Sequence, residues 1–351
     1  MRPTTRPIRP PAVAVRARAL AWALGAWALG ACASAAADAA DARVAFLTGH
    51  VGEAWSRASL VAWGEVAESA AREGAVAAAD AYPTESPDPA LQAAALRELA
   101  AAGYDAIVVD ALSATALDGA VAEACAAGAL VVSVRGTVGA PCAWRLAPDY
   151  RRMGRGQVEW LAAHLPEGGN LLEVRGAEGT AADAGIAAGV RAAIAAHDRF
   201  EIAASVRGGT TREDARAAIE AALPGLPPVV GVVAAGGDGL GIAEAFEAAG
   251  REVPPILLGN RHEELAWWRE RAGSDGYETV SEAPAPGLST LGFWVAERLL
   301  EGVPVPKALV VAPLRVERET LDSALALTEH DGVHDALYAR ESVRGLVAAA
   351  D

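Results

Sequence analysis

A guanidinium stands at the end of an apolar strand in "VVSVRGTVGAPCAWRL", where Arg135 follows a β-branched run and Cys142 comes seven residues later. The position matters because ligands of open parallel α/β sheets bind beyond the carboxyl ends of the strands. Other strand ends carry similar residues. Thr48, His50, Trp55 and Arg57 follow the first strand, Asp110, Ser113 and Thr115 the third, and Arg135 and Thr137 the fourth. Further along come Arg175, Glu178, Thr180 and Asp183, then Asp238, then Asn260, Arg261 and His262, and last Ser281 and Glu282. Planar forks, short carboxylates and a flat aromatic supply directional hydrogen bonds and an apolar face, which a polyhydroxylated or carboxylated small molecule needs. Thr115, Thr180 and Asp238 suit helix capping equally well. Trp55 sits at helical spacing from Ala62 and Val66, as a core residue would.

Signals for catalysis are poor. "GGDGLG" at 236–241 is half of a phosphate-binding glycine loop without the full spacing or the acid about twenty residues later. No P-loop, GxSxG or HExxH occurs, and Lys307 is the one lysine in the chain. Of the histidines only His330 and His334 have ligand spacing, and Gly332 between them interrupts a helix in a polar stretch read as solvated tail. No metal, cofactor or catalytic residue is expected.

These side chains need a frame that brings strand ends together, and the pattern provides one. Strands at 43–47, 76–81, 107–109 and 130–134 alternate with helical periodicity at 55–73, 90–101 and 117–127. The series restarts near Asp149, with helices at 153–164, 181–196 and 212–223 and strands at 170–174, 201–206 and 229–233. Alternation of this kind predicts parallel sheets covered on both faces, and 351 residues accommodate two of them.

The formal charge is −15, and the first 31 residues hold five arginines and no acid. A chain cut after them is more acidic still, a surface that repels nucleic acid and anionic lipid. The basic start, the apolar "ALAWALGAWALGA" and the small residues after it form a secretory signal pattern over residues 1–31, too short to span a bilayer comfortably. Leu29-Gly30-Ala31-Cys32 resembles a bacterial lipobox that would place a lipid on Cys32; ordinary cleavage near Ala33 or Ala35 is the alternative. Both routes export the protein, to the periplasm or the exterior of the cell envelope. In an oxidising compartment the remaining cysteines, Cys125 and Cys142, are expected to pair, with two buried free thiols as the alternative.

The stretches "GYDAIVVDALSATALDGAVAEACAAGALVVSV", "APDYRRMGRGQVEWLAAHL", "GNLLEVRGAEGTAADAGIAAGVRAAIAA", "VVGVVAAGGDGLGIAEAFEAAG", "ILLGN" and "GYETVSEAPAPGLSTLGFWVAERLLEG" occur in this order behind the signal pattern. From Arg43 to Leu321 the chain resembles the ribose-type, sugar-binding periplasmic binding proteins of ABC transporters. The resemblance implies an α/β fold of two Rossmann-like lobes with parallel central sheets, a ligand cleft between them and three hinge crossings, near Asp149, Glu282–Ala283 and Pro313. After a linker at 32–42, one lobe would hold 43–148 and 283–313 and the other 149–282 and 314–330, leaving 331–351 as a polar tail. It further implies a monomer, not an enzyme, that closes on a carbohydrate-like ligand and is read by a membrane permease, or alternatively by a chemoreceptor or sensor kinase.

Carried over by position, the ligand-binding residues would be Trp55, Arg57, Arg135, Asp183, Asp238, Asn260 and Glu282. The chain departs from the family pattern where Arg135 replaces an Asp, and at Ala184, Gly237 and Thr210, where Arg, Asn and an aromatic are expected. These departures argue against ribose itself. A guanidinium only donates hydrogen bonds and prefers an anion. Two readings of Arg135 follow: it faces an anionic ligand such as a sugar acid, or it pairs with a cleft acid such as Glu282 or Asp238 and the ligand is a neutral sugar or polyol.

Overall fold

A computed structural model describes residues 39–49, 54–235 and 238–350. The signal segment, Cys32, the linker up to residue 38, His50 and Gly237 lie outside them. The first run of elements is β1 (Arg43–Thr48), α1 (Ala54–Glu73), β2 (Ala78–Pro83), α2 (Pro89–Ala101), β3 (Ala106–Val109), α3 (Asp118–Ala126), β4 (Leu130–Val134) and β5 (Trp144–Ala147). The second is α4 (Tyr150–His164), β6 (Gly169–Arg175), α5 (Ala181–Ile194), β7 (Phe200–Arg207), α6 (Arg212–Ala222), β8 (Gly231–Ala234), α7 (Gly239–Ala248), α8 (His262–Ser274) and β9 (Ser281–Ala283). The chain ends with α9 (Leu288–Leu300), β10 (Ala308–Val310), β11 (Leu314–Val316), α10 (Leu321–Ala326) and α11 (Arg340–Ala350).

The first lobe is built on a parallel sheet ordered β10-β5-β4-β3-β1-β2. The second has the parallel set β7-β6-β8, continued through single bridges at Ile256 and Leu258 to β9, which pairs antiparallel with β11. Period-two alternation divides each strand between two cores. Val44 and Phe46 of β1 pack with Trp63 and Phe293, while Ala45 and Leu47 face the opposite side, with Leu96 and Leu117. Phe46 stacks on Trp63 at 5.0 Å, so α1 and α9 are tied to the sheet by one aromatic group. Strand β5 is absent from the sequence pattern. Only Leu146 of its four residues is buried, and it is a strand because β4 and β10 flank it.

The chain passes between lobes after β5, between β9 and α9, and between β10 and β11. It also passes a fourth time. Helix α10 packs on α8 of the second lobe, whereas α11 packs on α9 and β10 of the first. The segment expected as a polar tail is therefore attached at both ends, with Val333 and Val343 buried. Val343, Leu346 and Val347 have the i, i+3, i+4 spacing of one helical face, and that face packs on the first-lobe core.

A disulfide joins Cys125 at the end of α3 to Cys142 before β5, with Cα atoms 6.5 Å apart. It ties the helix that precedes β4 to the loop that follows it. Among the described residues no helix is long and apolar enough to cross a membrane.

Helices α4 and α5 meet backbone to backbone. A Cβ on Gly154 would lie 2.0 Å from the Ile186 carbonyl oxygen. Gly154→Ala is expected to destabilise the protein by about 3 kcal/mol or more, since the obstacle is main chain that cannot rotate aside. Gly64→Ala, on an open face of α1, should be neutral or stabilising by up to about 1 kcal/mol. Denaturant midpoints of the two variants compare these directly.

Candidate functional site

The carboxyl edge of the first sheet carries a guanidinium–carboxylate fork. Strands β3 and β4 pair with Val109 opposite Ser133, so the residues that follow them, Asp110 and Arg135, come within reach. Arg135 donates from Nε to Asp110 Oδ1 at 2.9 Å and from Nη2 to Oδ2 at 2.6 Å. Asp110 is fully buried, whereas the Arg135 side chain retains 26% exposure. The guanidinium lies over the Trp55 ring, 4.2 Å from its centroid, giving a flat apolar and cationic stack.

Main-chain geometry fixes this arginine. Its φ of +58° is the one positive value among the described non-glycine residues, a conformation that needs support from its surroundings. Tyr150 at the start of α4 donates to the Arg135 carbonyl at 3.0 Å. Trp55 Nε1 donates to the carbonyl of Pro284, in the second crossing, at 3.1 Å. Both faces of the stack are thereby attached to hinge segments. Arg57, also from the expected set, is exposed on the first turn of α1.

Arg135 therefore faces neither Glu282 nor Asp238, the two acids named from sequence. Its partner is Asp110, and the reason is sheet order. Glu282 lies opposite Arg315 on β11, 3.6 Å from its guanidinium. Burial raises the Glu282 carboxyl, against the pull of Arg315 and Arg152.

The second lobe repeats the device twice. Asp183, in the first turn of α5, accepts from Arg175 at 2.8 and 2.6 Å and from the Gly176 N–H at 2.9 Å, with Arg207 at 3.4 Å. Burial alone would raise its carboxyl, but these donors hold it below the ordinary value. Thr180 caps the same helix by accepting from the Asp183 N–H. Asp238 caps α7, accepting from the Leu240 and Gly241 N–H groups at 2.9 and 3.1 Å, while its other oxygen pairs with Arg261. Arg261 also donates to the Thr210 carbonyl at 2.9 Å. Asp238 thus serves as helix cap and ion-pair partner at once. Thr115 caps nothing; the N-cap of α3 is Leu117.

Behind this fork lies Glu264, buried and accepting from Gly239 and Gly259 at 2.9 and 3.1 Å. Asn260 is bound to the late segment, donating to the His334 carbonyl at 2.6 Å and accepting from the His334 N–H at 2.8 Å. The set carried over by resemblance leaves out Asp110, Arg175 and Arg261, which stand among the strand-end candidates, and Arg207 and Glu264 were not singled out at all. Arg207 also ends a strand, β7; that these strand-end residues pair was not legible.

Removing the two partners of the first fork should have unequal effects. Arg135→Ala leaves a fully buried carboxylate unpaired and is expected to destabilise by about 3–5 kcal/mol. Asp110→Asn leaves a guanidinium that water reaches and should lose only about 1–2 kcal/mol. Equal losses in chemical denaturation would contradict the burial asymmetry. Glu264 supplies a pH dependence. Burial, then the Asp238 carboxylate, push it up to about 7, against Arg261 and the two backbone donors. A folded value above the unfolded one means stability that is complete below about pH 4.5 and lost as pH rises through about 7. The melting temperature should fall from about pH 5 to about pH 8, and Glu264→Gln should flatten that fall.

Fold and site together define a class: two-lobed ligand-binding proteins of the type I periplasmic binding fold, which bind small molecules and are not enzymes. Residues 22–303 match the family of the periplasmic binding protein domain, and the chain belongs to that family. The crystal structure of an ABC transporter solute-binding protein from Thermobispora bispora DSM 43833 is similar at 25% identity and a TM-score of 0.80, over 88% of this chain and 96% of that one. The binding component of an arabinose ABC transporter from Shewanella sp. ANA-3, bound to α- and β-L-arabinofuranose, matches at 20% identity and 0.69, over 81% and 94%. A solute-binding protein from Bacillus halodurans C-125 with bound myo-inositol matches at 19% and 0.71, over 82% and 98%. No curated protein matches the sequence.

Proposed function

We propose that this chain is an exported solute-binding protein that closes on a neutral sugar or polyol and delivers it to an ABC transporter permease. The observation that carries the reading is the pairing of its strand-end arginines: Arg135, Arg175 and Arg261 each face a buried aspartate of their own lobe. An arginine already matched to a carboxylate has little charge left to offer an anion, yet the guanidinium, partly exposed in all three pairs, still presents N–H donors to hydroxyls. Fixed donors and acceptors beside a tryptophan face suit a ring bearing several hydroxyls. This favours the neutral ligand over the sugar acid.

In this reading Trp55, Arg57 and Arg135 contact ligand from the first lobe, and Asp183, Asn260 and Glu282 from the second, with Arg175 and Arg261 beside them, while the fully buried Asp110 and Asp238 hold Arg135 and Arg261 in place. Closure joins the two sets. The bound sugars and inositol of the structurally similar proteins support the ligand class. The signal pattern supports export to the periplasm or outer face of the cell envelope, with Cys32 as lipid anchor if the lipobox is used; the monomer is what the family resemblance implies.

A thermal-shift screen against pentoses, hexoses, inositols and sugar acids tests the proposal, because a ligand bound only by the folded state raises apparent stability. A neutral sugar or polyol should raise the melting temperature and sugar acids should not. Arg135→Ala should weaken binding of that same ligand at least about tenfold, the loss of one charge-assisted hydrogen bond. A shift with sugar acids alone would overturn the neutral assignment.

A further inference from the structure

Four connections join the lobes, and the last has contacts on both sides within two consecutive residues. On the second lobe, Val333 bridges Arg261, the His262 N–H donates to the Gly332 carbonyl at 3.1 Å, and His334 makes its two main-chain hydrogen bonds with Asn260. On the first lobe, Asp335 accepts from the Gly287 N–H at 2.7 Å, at the point where the second crossing enters α9. Tyr338 follows, its carbonyl accepting from Thr290 Oγ1 at 3.1 Å and Trp294 Nε1 at 2.9 Å, and its N–H donating to Thr290. Arg340 then pairs with the buried Glu297 at 2.5 Å, and α11 lays Val343 into the first-lobe core.

We infer that residues 327–339 are a hinge strap, which limits how far the cleft opens and holds Asn260 in place from behind. The inference rests on the cleft-closing reading above. Consecutive Cα atoms are about 3.8 Å apart, so a chain anchored to one lobe at residue 334 and to the other at 335 has no slack to pay out. Any rotation that separates Asn260 from Gly287 has to be absorbed by the dihedrals of that single junction or break one of the two anchors. The three other crossings are links of two to four residues between regular elements, and the strap adds a fourth point at which both lobes are held. Asn260 uses its amide N–H₂ and its main chain on the strap, which leaves its side-chain carbonyl as the group to present to ligand. Strap and cleft then compete for, or cooperate through, one side chain. A tighter hinge keeps the ligand-free protein nearer its closed form, which reduces the conformational part of the binding free energy.

The test lengthens the strap without removing it. Two glycines inserted between His334 and Asp335 of the full chain leave Asn260, Gly287 and α11 with their partners but free the junction. Small-angle scattering without ligand should then show a larger radius of gyration, by on the order of 1 Å on the roughly 20 Å of a compact chain this size. An unchanged profile in a folded insertion variant overturns the strap. Should the insertion not fold, Asp335→Ala, which removes the acceptor of the Gly287 N–H, is read by amide hydrogen exchange at Glu282, whose N–H bonds the Leu258 carbonyl beside the second crossing. A rise of about tenfold there supports the strap, and no rise overturns it. Both readouts use ligand-free protein, so they hold whether or not a sugar binds. A separate titration with L-arabinose and myo-inositol on the unaltered chain bears on the ligand reading alone.

Discussion

A fully buried aspartate at the end of a core strand has to be neutralised, and the arrangement of the cleft follows from how this is done. Asp110 has no exposed surface, and an unpaired carboxylate there would cost several kcal/mol. The neighbouring strand ends on Arg135, which meets it with two parallel hydrogen bonds. The backbone adopts a left-handed conformation to bring the guanidinium round. Trp55 covers it, Tyr150 holds its carbonyl, and both of these reach segments where the chain passes between lobes.

The second lobe solves the same problem with different elements. Asp183 and Asp238 sit in the first turns of α5 and α7, where backbone N–H groups already favour a negative charge. Arg175 and Arg261 complete the neutralisation from strand and loop. The outcome is a set of rigid polar surfaces with little net charge, each built from groups of one lobe. Such surfaces are pre-organised before ligand arrives, so binding loses little side-chain entropy.

Hinge and site share residues to an unusual degree. Trp55 touches Pro284, Arg135 touches Tyr150, Glu282 stands in the strand that leads into the second crossing, and Asn260 is bound to the fourth. The groups proposed to contact ligand are thus also groups whose positions change with lobe rotation. That gives ligand contacts a direct mechanical route to closure, through hydrogen bonds to main chain at the hinge.

Alternating strands and helices, the buried faces of β1, β3 and β4, the two cysteines, and the strand ends where polar residues collect were all legible in the sequence, because each depends on local periodicity or on residue type. The family resemblance extended that reading to three of the four crossings. Short β5 was not legible, since one buried residue in four has no period to detect. Nor was the partner of Arg135: Asp110 is twenty-five positions away, and only the order of strands in the sheet makes it a neighbour rather than Glu282. The late segment read as solvated because it opens on the polar stretch "EHDGVHD", although Val343, Leu346 and Val347 further on have helical spacing. Its few apolar residues are buried by surfaces of two lobes that are distant along the chain, and only the tertiary structure brings those surfaces to it.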